Sequence, residues 1–167
     1  MRKILLPTLI LVGLGLAFSG FRTGAAETAS VTATVTAQNV SVTVADGTVT
    51  YGTTSLGSSK NTVALSDTQT ATNAGNVTSQ LNIKGQNSTA WTLAGTAGSD
   101  IYVHKFCTST CATPPTNYTA LTTNYQTLSA SVAASGTQNF DLELTIPSST
   151  SSYTQQSVDV IVQAVAL

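Results

Sequence analysis

The stretch Ser30-Val31-Thr32-Ala33-Thr34-Val35-Thr36-Ala37-Gln38-Asn39-Val40-Ser41-Val42-Thr43-Val44 decides the fold class. Val31, Ala33, Val35 and Ala37 alternate with hydroxyl residues. A period of two gives a strand one apolar face and one hydroxyl face. At Gln38-Asn39 the parity slips, and Val40, Val42 and Val44 carry the alternation on even numbers. A one-residue slip turns the following side chains to the other face. Either a β-bulge sits there, or residues 30–37 form a strand of their own. The chain therefore divides into an N-terminal strand over 27–37, either an ordinary first strand of its own sheet or an exchange arm with donor residues Val31, Ala33, Val35 and Ala37, and a body over 38–167.

Towards the C-terminus the same pattern recurs. Asp46-Gly47 predicts a two-residue hairpin turn leading into a strand over 48–52. Residues 57–60 read as a Gly/Ser loop. Further strands are expected over 67–72, 77–84, 89–93, 100–106, 118–128, 138–146 and 157–166. Asn73 to Asn76, Gly85 to Asn87, Gly95 to Gly98, Pro114-Pro115, Gly136 and Pro147 to Ser152 supply the turns. About nine or ten short strands at this spacing imply an all-β fold, a single antiparallel β-sandwich of immunoglobulin-like or jelly-roll type. A short helix is expected over 128–134. In the last strand both faces are apolar, Val158, Val160, Val162, Ala164 and Ala166 on one and Ile161, Val165 and Leu167 on the other. That predicts a strand covered on both sides, either central or covered by a partner.

Towards the N-terminus the chain changes character. Arg2 and Lys3 precede an apolar run from Ile4 to Phe18, and Gly24-Ala25-Ala26 follows. A basic start, a short apolar core and a small-residue exit predict a secretory signal peptide over 1–26, cleaved near Ala26. Cleavage would leave the alternating strand just inside a new N-terminus. The apolar run is short for a membrane span, and no later stretch reaches 18 residues. The expected location is secreted, extracellular or cell-surface.

Composition narrows the function classes. Beyond the leader remain Lys60, Lys84 and Lys105 against seven carboxylates, a net charge near −4. Without arginine, and with three scattered lysines, the mature chain is not expected to bind nucleic acid or to dock on anionic membrane. The whole chain carries 31 Thr and 19 Ser, so its surface is coated with hydroxyls rather than charges. Exported structural and adhesive proteins often have such surfaces.

Chemistry-bearing residues are few. Cys107 and Cys111, the two cysteines, are expected to form a disulfide in an oxidising compartment. With His104 they make a His-x2-Cys-x3-Cys spacing, but zinc needs a further ligand, so no metal is expected. His104 is the one histidine and sits in an ordinary alternating strand. No strained Gly-x-Ser-x-Gly turn accompanies it. Asp141 and Glu143 are two apart on a strand, about 7 Å, a spacing that suits glycosidase carboxylates. They alternate with Phe140, Leu142 and Leu144, which reads as a solvent face opposite a core face. Trp91 reads as core, with a sugar-stacking platform as the alternative. No catalytic residue and no cofactor are expected. Asn39, Asn76, Asn87 and Asn117 each open an Asn-x-Ser/Thr triplet, a chance product of this composition.

Three resemblances point to the cell surface. Asn73-Ala74-Gly75-Asn76-Val77, followed by Leu81 and Ile83, resembles a corner found in bacterial and archaeal cell-surface immunoglobulin-like domains. Trp91-Thr92-Leu93 resembles the first motif of the WxL cell-wall-binding domain; at the place of that family's second motif this chain has Leu142 to Pro147 without tryptophan. The plan of leader, N-terminal strand and one domain is similar to camelysin-type biofilm-fibre subunits. The expectation is a non-enzymatic structural or adhesive surface protein, a candidate fibre subunit whose partner is itself. The alternative is a cell-wall or glycan-binding module, and the remote alternative a glycoside hydrolase using Asp141 and Glu143.

Overall fold

A computed structural model describes residues 27–112 and 117–167. The leader over 1–26 and the Pro114-Pro115 turn lie outside the described residues. The chain divides into two compact units with the boundary between Val35 and Thr36. Of the first, residues 27–35 are described; all are exposed and none belongs to a ladder.

The second unit is nearly all β. In chain order it forms β1 (Val42–Ala45), β2 (Ser59–Asn61), α1 (Thr62–Leu65), β3 (Gln69–Asn73), β4 (Ser79–Lys84), β5 (Thr92–Leu93), β6 (Ile101–Cys107), β7 (Thr119–Ala120), β8 (Gln126–Val132), β9 (Thr137–Thr145) and β10 (Ile161–Ala166). One sheet has the order β1-β3-β9-β6-β5, with β2 also on β9 and β7 also on β6. The other has the order β10-β4-β8. These strands pair antiparallel except for β5 and β6, which run parallel.

β9 organises the larger sheet. Its first half pairs with β3, from Thr72↔Thr137 to Gln69↔Phe140. Its second half pairs with β2, from Asn61↔Glu143 to Ser59↔Thr145. β2 and β3 thus lie along one side of β9, interrupted by the single turn of α1. Asn61 caps that turn by accepting from the Ala64 amide at 2.9 Å. Ser66, left-handed at φ 56°, ends it.

Alternation sets the core. Phe140 and Leu142 of β9 and Tyr102 and Phe106 of β6 share a cluster with Leu81 and Ile83 of β4 and Leu128 and Val132 of β8. Both sheets therefore contribute to one apolar interior, each buried Leu or Ile stabilising by roughly 1.5–3 kcal/mol.

Several expectations change. Among the described residues, 30–37 join no strand, so they are not a first strand of the sheet. Asp46 and Gly47 do turn the backbone, at φ 66° and 69°, but residues 48–52 find no ladder partner, so no hairpin forms. The loop expected over 57–60 holds most of β2. The strand expected over 118–128 splits into β7 and β8 around a turn in which the Thr122 hydroxyl donates to Asn124 O. The segment 128–134 is not helical: residues 126–132 pair with β4 as β8, burying Leu128 and Val132. Tertiary pairing overrides the helical preference of its alanines. β10 is an edge strand and not central, because β4 is its one neighbour among the described residues. Its even-numbered residues face the core, while Val165 and Leu167 stay exposed.

Candidate functional site

The registers place opposite features at the two ends of the second unit. β1 runs from Val42, opposite Asn73, to Ala45, opposite Thr70. β10 runs the other way, from Ile161 opposite Lys84 to Ala166 opposite Ser79. One end therefore carries the turn over 73–78, the turn over 133–136 and the C-terminus. The other carries residues 46–56, the β4–β5 connection and residues 146–160.

The first end is densely hydrogen-bonded. Asn73 is buried, and its amide donates to the carbonyls of Val77, Val132 and Ala133 at 2.8, 2.9 and 3.2 Å. Its Oδ1 accepts from the Gly75 amide at 3.0 Å. Asn76 holds the incoming chain: Oδ1 accepts from the Asn39 amide at 2.7 Å and Nδ2 donates to Ala37 O at 2.8 Å. The Asn76 amide donates to Asn39 O at 3.0 Å, and the Ala74 amide to Ser41 O at 2.9 Å. Any Cβ on Gly75 would collide with Asn39 O. That close approach is why glycine stands there.

The second end is open. A cleft of about 830 Å³ lies over the inner face of β9. Its floor is Phe140, Leu142, Leu144 and Ile146, with His104 of β6 beside them. One wall is the run 49–54, which turns at Gly52 (φ 64°), the other the run 150–160, and Trp91 also lines it. Among the described residues, neither 47–54 nor 150–160 makes a backbone–backbone hydrogen bond. Side chains provide partial substitutes. The Lys60 ammonium donates to Tyr51 O and Thr53 O at 2.7 and 2.9 Å. Asp100 accepts from the Ser151 amide, the Thr150 hydroxyl and the Ser151 hydroxyl at 2.7, 2.8 and 2.9 Å. Those bonds hold its carboxyl below the ordinary range. Both walls still keep main-chain donors and acceptors without a ladder, the condition that invites another strand.

Beneath the cleft lies a buried aromatic–imidazole group. His104 Nε2 is 3.1 Å from the Tyr51 hydroxyl, while Nδ1 has no hydrogen-bond partner among the described residues. Burial pushes the imidazole pKa down to about 4, so it is neutral at pH 7. Burial also pushes the Tyr51 and Tyr102 phenols up. The Tyr102 hydroxyl donates to Gln86 O.

The carboxylates anticipated on a solvent face are buried instead. They lie on the face of β9 opposite the cleft floor. Asp141 accepts from the hydroxyls of Thr62 and Thr68 at 2.8 and 2.7 Å. Thr62 in turn accepts from the Leu142 amide at 2.9 Å. These bonds bridge the gap that α1 leaves between β2 and β3. Glu143 pairs with its cross-strand partner Lys105 at 2.7 Å. The Tyr118 hydroxyl is buried nearby without a hydrogen-bond partner among the described residues. Desolvation, then Asp141 and Glu143, push its pKa up to about 12. Sequence reasoning missed this cover because α1 and Tyr118 reach the outer face from distant positions.

Trp91 is half-buried at the cleft, donating from Nε1 to the Thr150 hydroxyl at 2.9 Å and packing on Tyr102 with ring centroids 6.3 Å apart. Cys107 and Cys111 are joined in a disulfide at the end of β6. Among the described residues, no three His, Cys, Asp or Glu side chains gather as a metal site, and no helix is long and apolar enough to cross a membrane. Val31 and Val35 are 93% and 96% exposed, large apolar side chains left to solvent at every fourth residue. No family model, curated protein or solved structure matches this chain.

Proposed function

We propose that this chain is a secreted or cell-surface structural protein, a subunit that assembles with its own kind by strand exchange. In this reading the leader over 1–26 is removed. The mature chain is a single β-sandwich of immunoglobulin-like or jelly-roll type, and it catalyses nothing. The observation that carries the reading is the N-terminal segment. Val31 and Val35 are almost wholly exposed, and Val31, Ala33, Val35 and Ala37 repeat with the period of a strand yet join no ladder among the described residues. An apolar alternating segment gains burial and a ladder only by joining another sheet. The resemblances to camelysin-type fibre subunits and cell-surface immunoglobulin-like domains point the same way, as does the hydroxyl-rich, weakly charged composition. Electron microscopy of the mature protein tests it. Fibres or chains are expected, and deletion of residues 27–37 abolishes them. Assembly that survives the deletion rules the reading out.

Trp91 at the cleft supports a second reading, a module for cell-wall or other glycans in the manner of the WxL resemblance. Retention on peptidoglycan or polysaccharide that is lost in Trp91→Ala would favour it.

A further inference from the structure

We infer that the cleft between residues 48–54 and 153–160 is the acceptor for residues 30–37 of a second copy, and that the resulting contact is head-to-tail. This inference rests on the strand-exchange reading above and names its acceptor.

Donor and wall match in length. The run 153–160 is eight residues, about 26 Å when extended, and the segment 30–37 has the same length. Its two walls, 48–54 and 153–160, have no backbone–backbone hydrogen bonds among the described residues. An inserted strand therefore finds main-chain groups outside any ladder on both sides, although side chains already hold the carbonyls of Tyr51, Gly52, Thr53 and Thr154. The floor offers Leu142 and Leu144 on one parity of β9, continued by Ile146 just past its end. The donor offers Val31, Ala33, Val35 and Ala37 on one parity, small enough to lie over that floor, with Thr32, Thr34 and Thr36 turned outward. Charge agrees as well. Residues 28–45 carry no charged side chain, and the two walls carry one, Asp159. Neither partner has to bury an unpaired ion.

Polarity follows from the registers. The donor segment is rooted at residues 37–39, which Asn76 holds at the closed end. The acceptor lies at the opposite end, beyond Ala45 and before Ile161. Donor root and acceptor are thus different surfaces at opposite ends of one unit. Such a contact is heterologous: it leaves a free acceptor at one terminus and a free donor at the other, and it grows as a chain rather than closing as a two-fold dimer. In this scheme Asn76 is a positioning residue that fixes where the donor leaves.

The test uses the full mature chain. Val35→Cys protein is mixed with Val158→Cys protein and oxidised, and crosslinks are mapped by mass spectrometry. Val165→Cys, on the outer face of β10, replaces Val158→Cys as the control. An intermolecular crosslink between positions 35 and 158 is expected at least tenfold above the control. In wild-type polymer, the amides of 48–54 and 153–160 gain at least tenfold hydrogen-exchange protection over monomer. Arm-dependent polymer that crosslinks at position 165, or protects other segments, overturns the acceptor and leaves strand exchange standing. Polymer indifferent to Val31→Asp and Val35→Asp overturns strand exchange itself. A chain that stays monomeric, or retains glycan through the cleft instead, overturns both.

Discussion

The closed end and the open end of the same two sheets solve one problem differently. At the closed end a buried asparagine satisfies three carbonyls and one amide, and Asn76 ties down the entering chain. At the open end two runs outside any ladder reach past their sheets, with side chains such as Lys60 and Asp100 standing in for strands. The core is sealed where backbone groups are paired within the chain. Where they are not, its apolar floor faces a cleft. The lesson is that backbone pairing closes one end of this fold and, among the described residues, leaves two runs at the other end outside any ladder.

The largest effect should separate core positions at the two ends. Leu81→Ala, at a fully buried site, is expected to lower stability by about 4 kcal/mol, and Leu144→Ala on the cleft floor by about 1 kcal/mol. Urea unfolding of monomer measures both, and equal losses would mean that the cleft is sealed in solution. Acid comes next. His104 is depressed from 6.5 to about 4 by burial, so the unfolded chain takes up the proton first. The stability this contributes is complete above pH 6.5 and falls as pH drops towards 4, by about 3 kcal/mol. His104→Gln should flatten that slope in a pH series of unfolding curves.

At the closed end, Asn73→Ala strands buried carbonyls and should cost about 2.5 kcal/mol. Asn76→Ala, on an exposed residue, should cost less than about 1 kcal/mol while loosening residues 37–39, seen as faster amide exchange at Asn39. The smallest effect is local. Asp100→Ala removes three bonds to residues 150–151, and exchange should quicken there without a change in the unfolding midpoint. A global loss would show the open end to be as cooperative as the closed one.

Much of this was legible in the residues. Alternation located most of β3, β4, β6 and β9, and Asn73 to Asn76 announced a corner. Two cysteines four apart, behind an expected leader, announced their bond. Other features were not legible. Residues 48–52 alternate as well as any strand, yet pair with nothing. β10 looks covered on both faces, yet lies at an edge. Asp141 and Glu143 look solvent-facing until α1 and Tyr118 arrive from distant positions to cover them.

The sequence by itself determined most of the long strands, β3, β4, β6 and β9, and their apolar faces, because both follow from a two-residue period within one segment. The tertiary structure alone decided which edges are paired, which carboxylates are covered and which end stays open. Every residue but proline carries the same main-chain donor and acceptor. Side-chain patterns therefore encode the faces of a strand but not its edges, and the candidate site of this protein is built from edges.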